Sequence, residues 1–236
     1  MAEYNEFVER KKKEMAFFQA EREKAVLSLA EKPQLMKTYL ELSTRVDESP
    51  LNTVWVAVKM PEAVDLKTYQ EWKAIGCEVR RDAKGLNVIH ASSNGRKEGP
   101  SKWRLVTVYD SSQVDSPTLE EAPKHLDKWM FCELLSKKNY WSDESNGLII
   151  KLIPLGRTEG YLLEKYPEIQ GRNLICQSVA YALCYKYLDE NDYARWFKEP
   201  LPVEDLFGMT ESEVNRVLKL IREAYSVLSA EIEEVS

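Results

Sequence analysis

The stretch that decides the fold is Met60-Pro61-Glu62-Ala63, then Tyr69-Gln70-Glu71-Trp72-Lys73-Ala74-Ile75-Gly76, then Val79-Arg80-Arg81-Asp82-Ala83-Lys84-Gly85. About twenty residues on, Val106-Thr107-Val108-Tyr109-Asp110-Ser111-Ser112-Gln113 supplies a strand and a polar turn. Asp65-Leu66-Lys67-Thr68 caps a short helix that runs to Ala74 and is ended by Gly76. Cys77–Val79 and Leu86–Ala91 read as two strands joined by the turn Arg81–Gly85, with Gly85 supplying the positive φ of a hairpin. Trp103 to Tyr109 alternates as a third strand. An aromatic-bearing helix, a basic turn and a β-rich run are the parts of a platform for single-stranded nucleic acid: faces for bases, cations for phosphates.

Charge is distributed to match. The whole chain of 236 residues carries −6. Residues 67–104, however, hold nine basic and four acidic side chains, a balance of +5, whereas residues 111–236 stand at −8. A cationic module therefore sits beside an acidic partner domain.

Working outward, Glu3 to about Ala30 reads as a charged helix with a basic knot at Arg10–Lys13. Pro33 interrupts it, and Leu35–Arg45 resumes. Leu51–Met60 fits a short helix or a strand, and Val54, Trp55, Val56 and Val58 favour the strand by propensity. Ser92–Ser101 is a polar loop and Ser111–Pro123 a linker. Lys124–Lys137 is helical, with Leu126, Trp129, Met130, Leu134 and Leu135 facing inward. Gly147–Leu155 reads as a strand and Asn173–Leu188 as a buried helix. The last helix starts at Thr210 with a capping box to Glu213. The expected class is α+β: N-terminal helices over 1–50, an α+β module over 51–115 that packs with them, and a mainly helical domain over 124–236.

Several chemistries fall away. Cys77, Cys132, Cys176 and Cys184 have no metal-ligand spacing and read as buried thiols. His90 and His125 are the two histidines, with no HExxH around either. Asp110 and Asp115 lie in a Ser- and Asp-rich loop where turn chemistry is the ordinary role. Ser111-Ser112 has no base nearby in sequence. No apolar run approaches the roughly 20 residues that span a bilayer, and the charged N-terminus lacks a signal-peptide core. The expectation is a cytoplasmic protein with no membrane contact, no metal and no cofactor.

In order, these elements resemble the ArdC-type antirestriction proteins of plasmids, phages and integrative elements, which pair an N-terminal single-stranded-DNA-binding domain with a C-terminal metallopeptidase-like domain. The resemblance rests on Asn52 with Met60-Pro61-Glu62-Ala63, on Trp72 and Gly76, on the turn Val79–Gly85, and on Val108-Tyr109-Asp110-Ser111-Ser112-Gln113. In the second half, Ser178-Val179-Ala180-Tyr181 is similar to the family's Glu-Ser-Val-Ala-Tyr helix, but Gln177 stands where the family has a glutamate ligand. The segment Thr158–Tyr166 holds no histidine, so the HExxH helix has no counterpart. The resemblance implies single-stranded DNA as ligand, and the departures imply a peptidase-like half without hydrolysis.

The candidate phosphate contacts are Arg80, Arg81 and Lys84 at the turn, extended by Lys67, Lys73, Lys102 and Arg104. Candidate stacking groups are Tyr69, Trp72, Trp103 and Tyr109. The expected function is a non-enzymatic single-stranded-DNA-binding accessory protein of a phage or mobile element that opposes restriction. The alternative is a regulator whose acidic half grips a basic DNA-processing protein such as a recombinase or integrase.

Overall fold

A computed structural model describes residues 2–92, 102–115, 125–136 and 149–234. Of the loop expected at Ser92–Ser101, 93–101 lie outside the described residues, as do 116–123 of the linker expected at Ser111–Pro123; the start of that linker is instead a 3-10 turn (Ser111–Gln113) and a short strand (Val114–Asp115), because Asp110 and Gln113 cap the turn. The chain divides into two compact units: Met1–Val26 with Arg45–Leu119, and Leu27–Thr44 with Glu120–Ser236. The α+β class holds, with a small antiparallel sheet in the first unit and helices throughout the second. Among the described residues, no helix is long and apolar enough to cross a membrane.

In the first unit, α1 (Ala2–Leu27) precedes α3 (Pro50–Lys59), whose valine-rich sequence favours a strand. It forms a helix because Ser49 accepts the Asn52 N–H as N-cap and Pro50 occupies the first turn. Phe18 of α1 meets Trp55 of α3 edge-to-face at 5.1 Å. The three-stranded sheet has the order β1 (Leu66–Thr68), β4 (Lys102–Asp110), β3 (Leu86–Ser92), all antiparallel. β3 is an edge strand, and Asn52 closes part of that edge. Its amide donates to the Ile89 carbonyl (3.0 Å) and accepts from the Ile89 N–H (3.2 Å), while the buried Glu48 carboxylate takes its second donor (2.8 Å). An edge engaged in this way offers less template for a foreign strand.

The expected hairpin across Arg81–Gly85 does not form. β2 (Glu78–Val79) pairs with β5 (Val114–Asp115), whereas β3 pairs with β4, so the basic turn connects strands of two different sheets. Gly85 does not carry a positive φ; Gly76, at the end of α4 (Tyr69–Ala74), does. Glycine is required at position 85 for space instead. A Cβ there would lie 2.5 Å from Thr107 Cγ2 and 2.8 Å from the Tyr109 ring.

In the second unit, α2 (Pro33–Ser43) packs on α7 (Arg172–Tyr187), and α5 (Lys128–Ser136), α6 (Ile149–Lys165) and α9 (Glu211–Glu233) complete the bundle, with the single turn α8 (Glu190–Tyr193) following α7. Of the strand expected at Gly147–Leu155, 147–148 lie outside the described residues and the rest, from Ile149, is the start of α6. A short apolar run fits a buried strand or a buried helix equally well; the buried residues Ile150, Pro154, Thr158 and Leu162 recur every four residues, which is the helical answer. Pro154 removes the N–H that would bind the Ile150 carbonyl. The Cys184 thiol of α7 donates to that carbonyl at 3.6 Å, and burial holds this thiol well above its ordinary pKa, in its donor form. In α5 the inward face is Phe131, Cys132 and Leu135, while Met130, expected inside, is 47% exposed. The capping box of α9 forms as expected, Thr210 accepting from the Glu213 N–H and Glu213 from the Thr210 N–H.

Candidate nucleic-acid interface

The site is assembled around α4. Thr68 caps it, its hydroxyl accepting the Glu71 N–H (3.3 Å) while the Glu71 carboxylate accepts the Thr68 N–H (2.7 Å). That backbone donor, then the Thr68 side chain, holds the Glu71 carboxyl below its usual range. A lowered folded-state pKa means the contribution is present above the unfolded value of about 4.3 and is lost as pH falls through the folded one. Thermal melts from pH 7 to pH 3 are therefore expected to show a larger acid-side loss for wild type than for Glu71→Gln, which keeps an acceptor but cannot titrate. Equal slopes would contradict the cap's role.

Trp72 points inward and is 1% exposed, packed with Cys77 and Val114 and flanked by Val79 and Tyr109. Its indole N–H donates to the Tyr109 carbonyl at 2.9 Å. Trp72 is thus a core residue, not a stacking face: a helix this short has one inward position, and its largest apolar side chain fills it. Tyr109 lines the same cluster and is half-buried. Tyr69 and Trp103 remain open, at 49% and 59% exposure.

The cations are sorted in the same way. Lys67 is engaged, its ammonium ion-paired with Asp65 and 4.8 Å above the Trp72 ring. Arg80 is engaged too, its guanidinium donating to the Ser112 carbonyl at 2.6 Å. Lys73, Arg81, Lys84 and Arg104 are exposed, and their side chains make no hydrogen bond or ion pair among the described residues. Lys73 lies one helical turn from Tyr69 on α4, so the two share an outer face. In β4 the alternation separates neighbours: Trp103 shares a face with Tyr109 and, across the pairing, with Ala91 and Lys67, while Arg104 projects to the opposite face beside His90. His90 Nε2 lies 3.0 Å from the Glu48 carboxylate, an acidic neighbour for Arg104's side of the sheet. Lys102 pairs through its backbone with Ser92, and its side chain lies outside the described residues.

The polar turn after β4 is a hydrogen-bonded bracket and not a plain linker. The Asp110 side chain, 2% exposed as a residue, accepts N–H groups from Val64 (2.7 Å), Asp65 (3.2 Å) and Ser112 (2.9 Å). Gln113 accepts the Asp110 N–H (2.9 Å) and donates to the Lys84 carbonyl (3.0 Å). One bracket thereby joins the 64–65 loop, the turn after β4 and the basic turn. The Asp-x-x-Gln spacing of a capping box was the available signal.

No protein-family model matches the chain, and no curated protein matches it. Two crystal structures of the antirestriction protein ArdC from plasmid R388 are similar to it. The Mn(II)-bound structure aligns at 15% identity and a TM-score of 0.45, over 78% of this chain and 83% of that one. The metal-free structure aligns at 13% identity and a TM-score of 0.49, over 80% and 88%.

In the second unit, Gln177 occupies the position where the family resemblance has a glutamate ligand. Gln177 donates to the Asn173 side chain at 3.1 Å. Tyr161 and Tyr166 donate to Glu223 at 2.5 and 3.0 Å, which lowers the Glu223 carboxyl pKa. Among the described residues, no group of three or more His, Cys, Asp or Glu is placed to hold a metal ion.

Proposed function

We propose that the first unit binds single-stranded DNA with little sequence preference and that the chain is a non-enzymatic, cytoplasmic accessory protein of a phage or mobile element, opposing restriction by occupying DNA. The observation that carries this reading is that the segment 67–104, with its positive balance, holds both the open aromatic faces Tyr69 and Trp103 and the cations Lys73, Arg81 and Lys84, exposed and unpaired among the described residues. Exposed aromatic rings near cations suit unpaired bases, whose faces are free; a duplex hides them in its stack. The motif order described above supports the link to antirestriction.

Binding to a labelled oligothymidylate tests it. Arg81→Ala with Lys84→Ala is expected to weaken binding at low salt and to flatten the plot of log K against log salt by about 1.4, two phosphates at roughly 0.7 each. Trp103→Ala is expected to cost about 1–3 kcal/mol in binding while leaving the salt slope and the melting temperature near wild type. Unchanged affinity in both variants would refute the placement of the site.

A further inference from the structure

We infer that Gln113 is the positioning residue of the DNA-contacting turn, holding Arg81 and Lys84 in place through one side-chain amide, and that Arg80 is a strut of that turn and not a phosphate ligand. This deepens the single-stranded-DNA reading and rests on it.

The turn from Arg80 to Gly85 joins strands of two different sheets, so no continuous ladder fixes its shape. Its entry is held by the Arg80 N–H on the Gln113 carbonyl (3.0 Å) and by a tight turn from the Ala83 N–H to the Arg80 carbonyl (3.1 Å). Its exit is held at the Lys84 carbonyl by the Gln113 amide (3.0 Å), immediately before Gly85 passes against Tyr109. Arg80 adds a second latch at the entry through the Ser112 carbonyl (2.6 Å), which directs its guanidinium back to the protein. Gln113 in turn is fixed by accepting the Asp110 N–H (2.9 Å). The basic turn is therefore latched at entry and exit to the segment 112–113, and that segment is anchored by the buried Asp110. Arg81 and Lys84, between or at the latches, are the two cations left pointing outward. One neutral amide bond is too weak to set the fold, but a turn released into several conformers binds more weakly by the fraction that remains competent.

Two variants separate positioning from folding. Gln113→Glu keeps an acceptor for the Asp110 N–H and loses the donor to Lys84; Gln113→Met loses both without adding charge. Each is measured alone and combined with Lys84→Ala, using oligothymidylate affinity across a salt series, thermal melting, and amide hydrogen exchange at 81–85. The inference expects both variants to stay folded, to exchange faster at 81–85, and to lose affinity on the order of tenfold with a flattened salt slope. It also expects Lys84→Ala to cost less in either Gln113 background than in wild type, a coupling that a merely structural role does not produce. Arg80→Ala is expected to speed exchange at the turn rather than act as a simple loss of one charge. Wild-type binding with unchanged affinity and slope in both Gln113 variants overturns this inference alone. Unfolding of both variants makes Gln113 a residue of the fold and overturns the positioning role. Absence of wild-type binding overturns this inference together with the reading beneath it.

Discussion

Trp72→Ala is expected to unfold the first unit at temperatures where wild type is folded. The ring is almost wholly enclosed by Cys77, Val114, Val79 and Tyr109, and its N–H is bonded to the Tyr109 carbonyl. Truncating a buried aromatic costs about 3–5 kcal/mol, the transfer term plus the cavity left behind. Domains have only about 5–15 kcal/mol in total, and a unit of this size lies toward the lower end. The fall in melting temperature should exceed roughly 10 °C, read by circular dichroism or by tryptophan fluorescence from the remaining indoles. DNA binding would be lost with the fold. Trp103→Ala supplies the contrast, since an exposed ring can leave without a cavity. If Trp72→Ala melts like wild type and loses only binding, the two tryptophans have been assigned the wrong way round.

Asp110→Ala should have the next largest effect. Three backbone N–H groups lose their acceptor at once. Partly buried donors left without a partner cost about 1–3 kcal/mol each when water cannot replace it fully. Losses within one network are not additive, so about 2–4 kcal/mol is expected from urea denaturation. Asp110→Asn should recover only part, because its carbonyl oxygen can still accept the Val64 and Asp65 N–H groups while its amide nitrogen turns a donor toward the Ser112 N–H. A change below about 1 kcal/mol in Asp110→Ala would show that the bracket does not hold the turn.

Much of the fold was legible where local chemistry settles the matter. Thr210 with Glu213 announces a helix start through the spacing of a capping box, and the box forms; the cap expected from Asp65–Thr68 falls on Thr68, closed by Glu71. The alternation from Trp103 to Tyr109 gives β4. What was not legible depended on partners distant in sequence. The run beginning at Ile149 became a helix because its buried positions face the rest of a bundle, and Pro154 is tolerated because Cys184 of another helix satisfies the carbonyl it orphans. The basic turn looked like a hairpin because Val79 and Leu86 are close in sequence, yet each strand found a different partner. The need for glycine at position 85 comes from a ring of β4 pressing on it, a cause that the turn's own sequence does not carry.

The candidate site divides along the same line. That Arg81 and Lys84 are open follows from composition and turn chemistry. That Arg80 is occupied could not be seen, because the Ser112 carbonyl reaches it through the fold, whereas Lys67 pairs with Asp65 only two residues away. Among the aromatics, sequence alone cannot say which of Tyr69, Trp72, Trp103 and Tyr109 the core claims first; packing takes Trp72 and half of Tyr109.

The measurement that bears most directly on the central claim is fluorescence anisotropy of the wild-type protein with a labelled single-stranded oligonucleotide and with its duplex, each across a salt series. The account predicts tighter binding of the single strand, weakening steadily as salt rises. No single-strand binding at low salt, or equal affinity for the duplex, would contradict it.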